Sequence, residues 1–176
     1  MTTVYIRRAT SLTDRELNEL CDAAEAAITD GGGFGWLKPP PRNAFEKYWR
    51  GVLLVPEREL YIARLDDIVC GSAQLQRPAR NNEAQAFAGQ LTTSFVAPWA
   101  RGHGLARGLV EAVERGARAA GFRMLTLDVR VTQTVAIHLY ESLGFVRWAT
   151  NPRYAEVDGK FIAGHYYQKL LEPAGS

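Results

Sequence analysis

The segment from Leu91 to Val129 constrains this chain more than any other. It reads as a strand ending at Val96, a break at Pro98, a short glycine loop, a helix over Leu105 to Ala120, and a strand over Phe122 to Val129. In the helix, Leu105, Leu109, Val113 and Ala117 recur four apart, Val110 widens the stripe, and Gly121 suits the end. In the second strand Leu125, Leu127 and Val129 share one side. A strand–helix–strand unit closes by a right-handed crossover, so the two strands are predicted to lie parallel in one sheet.

The preceding half reads differently. A short strand over Thr3 to Arg8 leads to a helix capped by Ser11 or Thr13 and running to about Thr29. The stretch from Gly31 to Pro41, with Phe34 and Trp36 among glycines and prolines, is a loop, open to reading as a plain connection or as a lid. Asn43 is the expected cap of a second helix carrying Phe45, Tyr48 and Trp49. Leu60 to Leu65 and Ile68 to Leu75 form a hairpin about Asp66-Asp67, and a long strand runs from Ala86 to Val96. Downstream, Ala136, Leu139, Tyr140 and Leu143 mark a helix stopped by Gly144. Strands follow over Phe145 to Trp148 and, after Asp158-Gly159, over Phe161 to Leu170. The expected fold is α/β: an antiparallel meander, then a parallel β-α-β unit, in a mixed sheet with helices on both faces. It forms a single domain over 1–171, with a loose tail from Glu172 to Ser176.

Composition narrows the partners. The net charge of +2 over 176 residues argues against nucleic acid. No apolar run approaches the roughly 20 residues that span a bilayer, and the N-terminus lacks the build of a secretion signal. Two cysteines, Cys21 and Cys70, stand outside any metal-ligand spacing, and the expectation is two reduced thiols in a cytoplasmic protein. No metal site is expected.

The loop Arg101-Gly102-His103-Gly104-Leu105-Ala106-Arg107 carries the chemistry. Two glycines let the backbone turn and approach a ligand closely. The first helix amides lack intrahelical partners and carry the positive end of the helix dipole. With Arg101 and Arg107 beside them, they suit an anion such as a diphosphate. Taken locally, the same loop serves equally as a plain connection with two solvated arginines. The three-glycine dinucleotide fingerprint does not fit, since Ala106 falls at the wrong spacing, and no Gly-Lys-Ser/Thr occurs.

Two blocks together settle which anion to expect. Val96-Ala97-Pro98-Trp99-Ala100-Arg101-Gly102-His103-Gly104-Leu105-Ala106 resembles the acetyl-CoA motif Arg/Gln-x-x-Gly-x-Gly/Ala of the GNAT superfamily, the GCN5-related N-acetyltransferases, through Arg101, Gly104 and Ala106. Ala136-Ile137-His138-Leu139-Tyr140-Glu141-Ser142-Leu143-Gly144-Phe145 is similar to that family's Ala-Ile-x-Leu-Tyr-x-x-x-Gly-Phe. The resemblance covers roughly Leu91 to Val146 and implies the acyl-CoA N-acyltransferase fold with acetyl-CoA as cosubstrate. It implies that Ser94, Phe95 and Val96 pair with the pantetheine arm, that Gly102 to Arg107 hold the diphosphate, and that Tyr140 lies near the sulfur. Where the family often carries Asn, this chain has Gln133, one methylene longer. The Asp158-Gly159 ending is also similar to the tabtoxin-resistance acetyltransferases of this superfamily, which implies a small, amino-acid-like acceptor.

Moving an acyl group to an amine requires that the ammonium lose a proton, that the oxyanion meet donors such as the N–H groups near Val96, and that the departing thiolate gain a proton. Tyr140 is the candidate acid, weighed against a core tyrosine with a satisfied hydroxyl. Asp128, at the carboxyl edge of its strand, is the candidate base, weighed against a structural strand-end carboxylate; Glu83, on a turn, is the weaker one. His103 is expected to contact the cofactor from the loop, His138 to face solvent, and His165 to pack in the last strand. Pro152-Arg153-Tyr154 is a candidate wall of the acceptor site. The expected activity is acetylation of a small-molecule amine. Acetylation of a protein N-terminus or lysine, and acyl-CoA binding without catalysis, remain the alternatives, and a homodimer is left open.

Overall fold

The computed structural model describes residues 1–32 and 35–172. Phe34 of the glycine loop and Pro173 to Ser176 of the expected tail lie outside the described residues. Glu172 is held, its carbonyl accepting a hydrogen bond from Arg118 Nη1 at 2.6 Å.

Strand β1 (Val4–Ala9) leads to helix α1 (Asp14–Thr29). Of the two candidate caps it is Thr13 that acts, in a reciprocal box with Glu16: Glu16 N donates to Thr13 Oγ1 at 3.1 Å and Thr13 N to Glu16 Oε2 at 2.8 Å. Helix α2 (Arg42–Leu54) starts one residue before the expected cap, behind Pro41. The Pro41 side chain has no oxygen to accept from the first helix amides, so the chain enters the helix without a side-chain cap. Strands β2 (Arg58–Leu65), β3 (Ile68–Gln76) and β4 (Ala88–Val96) form the meander, with Glu83–Gln85 as a 3-10 turn just before the last of them. Helix α3 (Leu105–Ala119), strand β5 (Met124–Arg130) and helix α4 (Thr134–Ser142) complete the crossover half. Strands β6 (Val146–Val157) and β7 (Lys160–Leu170) make a long hairpin about Asp158-Gly159, both in positive φ.

All seven strands share one sheet in the order β1-β2-β3-β4-β5-β7-β6, with β4 and β5 parallel and the other neighbours antiparallel. Side-chain alternation separates two cores. Leu60 and Ile62 of β2 face α1 and α2 with Phe45 and Trp49; Tyr61 and Ala63 face α3 with Leu105, Leu109, Val113 and Ala117. The predicted stripe of α3 is thus the face it buries.

Irregularities flank β4 on both sides. Its parallel pairing with β5 ends after Gln90↔Thr126, so the two strands part toward their carboxyl ends. On the other side, Ser72↔Phe95 and Gln74↔Thr92 leave one extra residue on β4, and Thr93 sits at φ 49. That bulge resets the alternation: Leu91 and Val96 pack with the α3 core while Phe95 joins the α1/α2 core. In β6 the register slips between Asn151 and Ala155, so the Pro152-Arg153-Tyr154 stretch is a bulged edge strand rather than a free loop.

Candidate active site

Where β4 and β5 part, a cleft of about 720 Å³ opens between the α3 loop and α4. Its wall at one end is the glycine loop. Gly102 and Gly104 hold φ of 85° and 75°, a backbone region that disfavours any side chain. Gly104 is the N-cap of α3, and the first intrahelical bond runs from Gly108 N to Gly104 O at 3.0 Å. The amides of Leu105, Ala106 and Arg107 therefore have no intrahelical partner. No described residue lies within 4 Å of a Cβ built on Gly102 or Gly104, so the glycines serve backbone conformation and leave the loop open toward the cleft.

The arginines are engaged on the protein side. Arg101 Nη2 lies 2.8 Å from Asp30 Oδ2, an exposed pair joining the loop to the end of α1. Arg107 Nη2 donates to Ser142 Oγ at 2.9 Å, which ties the loop to α4. Gln133 lines the cleft, and its Nε2 donates to Gly31 O at 2.9 Å. The end of α1, with Asp30, Gly31 and Gly32, is thus a third wall. No motif marked it: its role comes from two long-range contacts.

At the other end of the cleft is Tyr140, 8% exposed, its ring edge-on to Phe145 with centroids 5.9 Å apart. Burial pushes its hydroxyl up to about 12; a side-chain hydrogen bond with Ser94 acts in the opposite direction, and the negative charge of Asp128 adds to the rise. Ser94, Phe95 and Val96 line the cleft. So do Arg101, Gly102, Gly104, Leu105, Ala106 and Arg107.

Two expected residues are placed elsewhere. His103, between two glycines of positive φ, is exposed and stands outside the cleft lining. Asp128 lies on the face of the sheet opposite α3, since Leu127 and Val129 take the α3 side. Its Oδ1 accepts from Gln90 Nε2 at 3.1 Å, and its Oδ2 accepts a short hydrogen bond from the Tyr154 hydroxyl. Gln90 had no signal in the sequence, and Tyr154 was marked only as part of a wall. Tyr154 reaches Asp128 because the β6 bulge carries it over Gly164, where a Cβ would meet the ring at 2.1 Å.

The remaining candidates fall outside the cleft. Glu83 is exposed on its 3-10 turn, and His138 faces solvent. His165 is half-buried in β7 with Nδ1 2.8 Å from Thr150 Oγ1 and Nε2 3.1 Å from Arg147 Nη1, a structural position in the sheet. Cys21 and Cys70 are buried free thiols, each pushed up to about 11 by burial. Among the described residues no helix is long and apolar enough to cross a membrane.

Comparison with known proteins gives this geometry a family. The model of the acetyltransferase (GNAT) family matches residues 18–145. An uncharacterized N-acetyltransferase in the hisH-hisA intergenic region of Azospirillum brasilense is 62% identical over 133 residues, 76% of this chain and 79% of that one. An N-acetyltransferase from Staphylococcus aureus Mu50 superposes with a TM-score of 0.82 at 19% identity, covering 97% of this chain and 99% of that one. A GNAT superfamily phosphinothricin acetyltransferase from Sinorhizobium meliloti, solved in complex with acetyl-CoA, superposes with a TM-score of 0.79 at 20% identity over 99% of this chain and 92% of that one.

Proposed function

This chain belongs to the GNAT acetyltransferase family and is an N-acetyltransferase, and we propose that it acetylates the primary amine of a small molecule by direct attack, with Tyr140 as general acid and Asp128 as general base. The observation that carries the reading is the pairing, in one cleft, of a helix N-terminus capped by a left-handed glycine with a buried neutral tyrosine. The first suits a diphosphate; the second suits a leaving thiolate.

The residues fit acetyl-CoA on three counts. The free amides of Leu105 to Arg107 point out of the helix end, the glycines leave room for close backbone approach, and the cleft volume falls in the range of cofactor sites. Beyond the Thr93 bulge the β5 side of β4 has no strand partner among the described residues, which leaves backbone groups of Ser94 and Val96 to pair with an extended pantetheine arm. When bound, acetyl-CoA supplies the thioester acyl group.

The chain's own groups then manage three protons. The acceptor reaches the gap as an ammonium, and Asp128 takes its first proton and passes it to solvent. Nitrogen forms the C–N bond at the thioester carbonyl carbon as the C–S bond breaks. Tyr140 gives its proton to the sulfur, and the second proton lost by nitrogen restores the phenol. One proton is released per amide formed. Burial keeps the Tyr140 hydroxyl protonated through neutral and mildly alkaline pH, so the acid is in its working form. Arg101, Arg107 and Gln133 position the cofactor end and take no part in these transfers.

The test is release of CoA thiol from acetyl-CoA across amino acids, arylalkylamines, polyamines, aminoglycosides and peptides, with acetyl-CoA binding measured in parallel. Turnover of a small amine supports the reading. Preference for peptides would move the acceptor to protein, and failure to bind acetyl-CoA would end it.

A further inference from the structure

Across the sheet from α3, the gap between β4 and β5 opens onto a floor that the diphosphate loop does not use. Gln90, Thr92 and Asp128 are half-buried there, and the register places Tyr166 beside Asp128 on the same face. Thr92 stands two residues along β4 from Gln90, on the order of 7 Å toward the open end. Its Oγ1 is buried and has no hydrogen-bond partner among the described residues. Thr92 pairs with Gln74, whose Nε2 donates to the Tyr48 hydroxyl at 3.1 Å.

Aromatic rings bank this floor on both sides. On one side Trp36 stands edge-on to Tyr48 at 4.8 Å between centroids. On the other, Tyr154 stands edge-on to Tyr166 at 6.0 Å, and Tyr166 meets Trp148 at 5.8 Å. Of the flanking guanidiniums, Arg58 is committed within the fold, its Nη1 donating to Gln74 Oε1 at 2.9 Å, while the charge of Arg130, two residues along β5 from Asp128, acts on the Tyr154 hydroxyl. The floor therefore offers one carboxylate, aromatic faces and, just beneath its surface, one unmatched hydroxyl oxygen. An ammonium matches the first and the last, and a flat apolar body matches the second. An acceptor carrying its own carboxylate would bring a second negative charge beside Asp128, which is unfavourable at contact distance in a half-buried site.

We propose that this trough binds the acceptor, and that the acceptor is an arylalkylamine without a carboxylate, its ammonium hydrogen-bonded to Asp128 and, once the Thr92 side chain turns about χ1, to Thr92 Oγ1, and its ring lying between the aromatic banks. The assignment rests on the transferase reading above and names the acceptor class for it. Thr92 and Tyr166 are then specificity residues, and Tyr154 and Gln90 position the Asp128 carboxylate.

Matched amines test this on the wild-type protein. Tyramine and tryptamine should exceed tyrosine and tryptophan in kcat/KM by about tenfold or more, and exceed n-butylamine by a similar factor. Thr92→Val and Tyr166→Leu should each raise the KM for tyramine by roughly fivefold to tenfold while the Kd for acetyl-CoA stays within about twofold. Equal or better use of the amino acids would overturn the assignment in favour of an amino-acid-like acceptor. Equal use of n-butylamine, or an unchanged tyramine KM in both folded variants, would overturn it as well. So would acetyl-CoA binding without turnover of either arylalkylamine. Loss of acetyl-CoA binding by the wild-type protein would instead remove the transferase reading beneath it.

Discussion

The hydroxyl of Tyr140 is held between opposing influences: burial and the charge of Asp128 favour the neutral phenol, and the Ser94 hydrogen bond favours the phenolate. Burial wins, so the hydroxyl stays neutral and is in the form a proton donor needs. Tyr140→Phe should lower kcat by about 100-fold or more, the range of a lost general acid, and leave the Kd for acetyl-CoA within about threefold. Near wild-type turnover in thiol-release assays would remove Tyr140 from the mechanism. Arg101 gives a second prediction. Its pair with Asp30 is exposed and competes with an incoming diphosphate, so Asp30→Ala should tighten acetyl-CoA binding by up to about fivefold, the equivalent of a surface ion pair. Isothermal titration measures this directly, and unchanged or weaker binding would show that the pair does not oppose the cofactor. Tyr140 was legible in the sequence through its motif. The contacts of Asp30, Gln90 and Tyr154 were not, because each is made with a partner at least 26 residues away.

At the scale of elements, α3 joins stability to binding. Its apolar stripe fixes the helix against the sheet, and its left-handed Gly104 ends it with free amides aimed at the cleft. Gly104→Ala places a Cβ in a left-handed residue, a cost of about 1–2 kcal/mol, which should lower Tm by roughly 2–8 °C for a chain of this size. Because no described residue packs against that position, the change should also weaken acetyl-CoA binding without collapsing the fold. Calorimetry and titration on one preparation read both effects. The helix and its loop could be read from the order of residues because the stripe and the glycines are local. The β4 bulge could not be: continuous alternation through Thr93 would set Leu91 and Phe95 on one face, whereas the structure sends them to opposite cores. Nor could the length of β6, since Pro152 argues for a break and the sheet absorbs it as an edge-strand bulge.

For the whole molecule, buried neutral groups set an alkaline limit. Burial lifts Cys21 and Cys70 from 9.0 to about 11, and lifts Tyr61 and Tyr140 from 10.0 to about 12. Above the unfolded values the unfolded chain loses protons that the folded chain keeps, so the folded state loses stability as pH rises. Stability against urea should therefore show no loss from these groups below about pH 9, and should fall from there to about pH 12. A curve flat across that window would show that they titrate alike in both states. The chain's residue order determined by itself what depends on neighbours in sequence: the helix stripe, the glycine loop, the two family motifs, and hence the fold and the end of the cleft proposed for the cofactor. The tertiary structure alone decided what depends on residues far apart: where β4 and β5 part, the sheet order that sets β7 beside β5, and the carboxylate bridged by Gln90 and Tyr154. Helical period and turn chemistry are properties of a few successive residues, whereas strand divergence and a shared carboxylate exist only once separate strands have been brought into register.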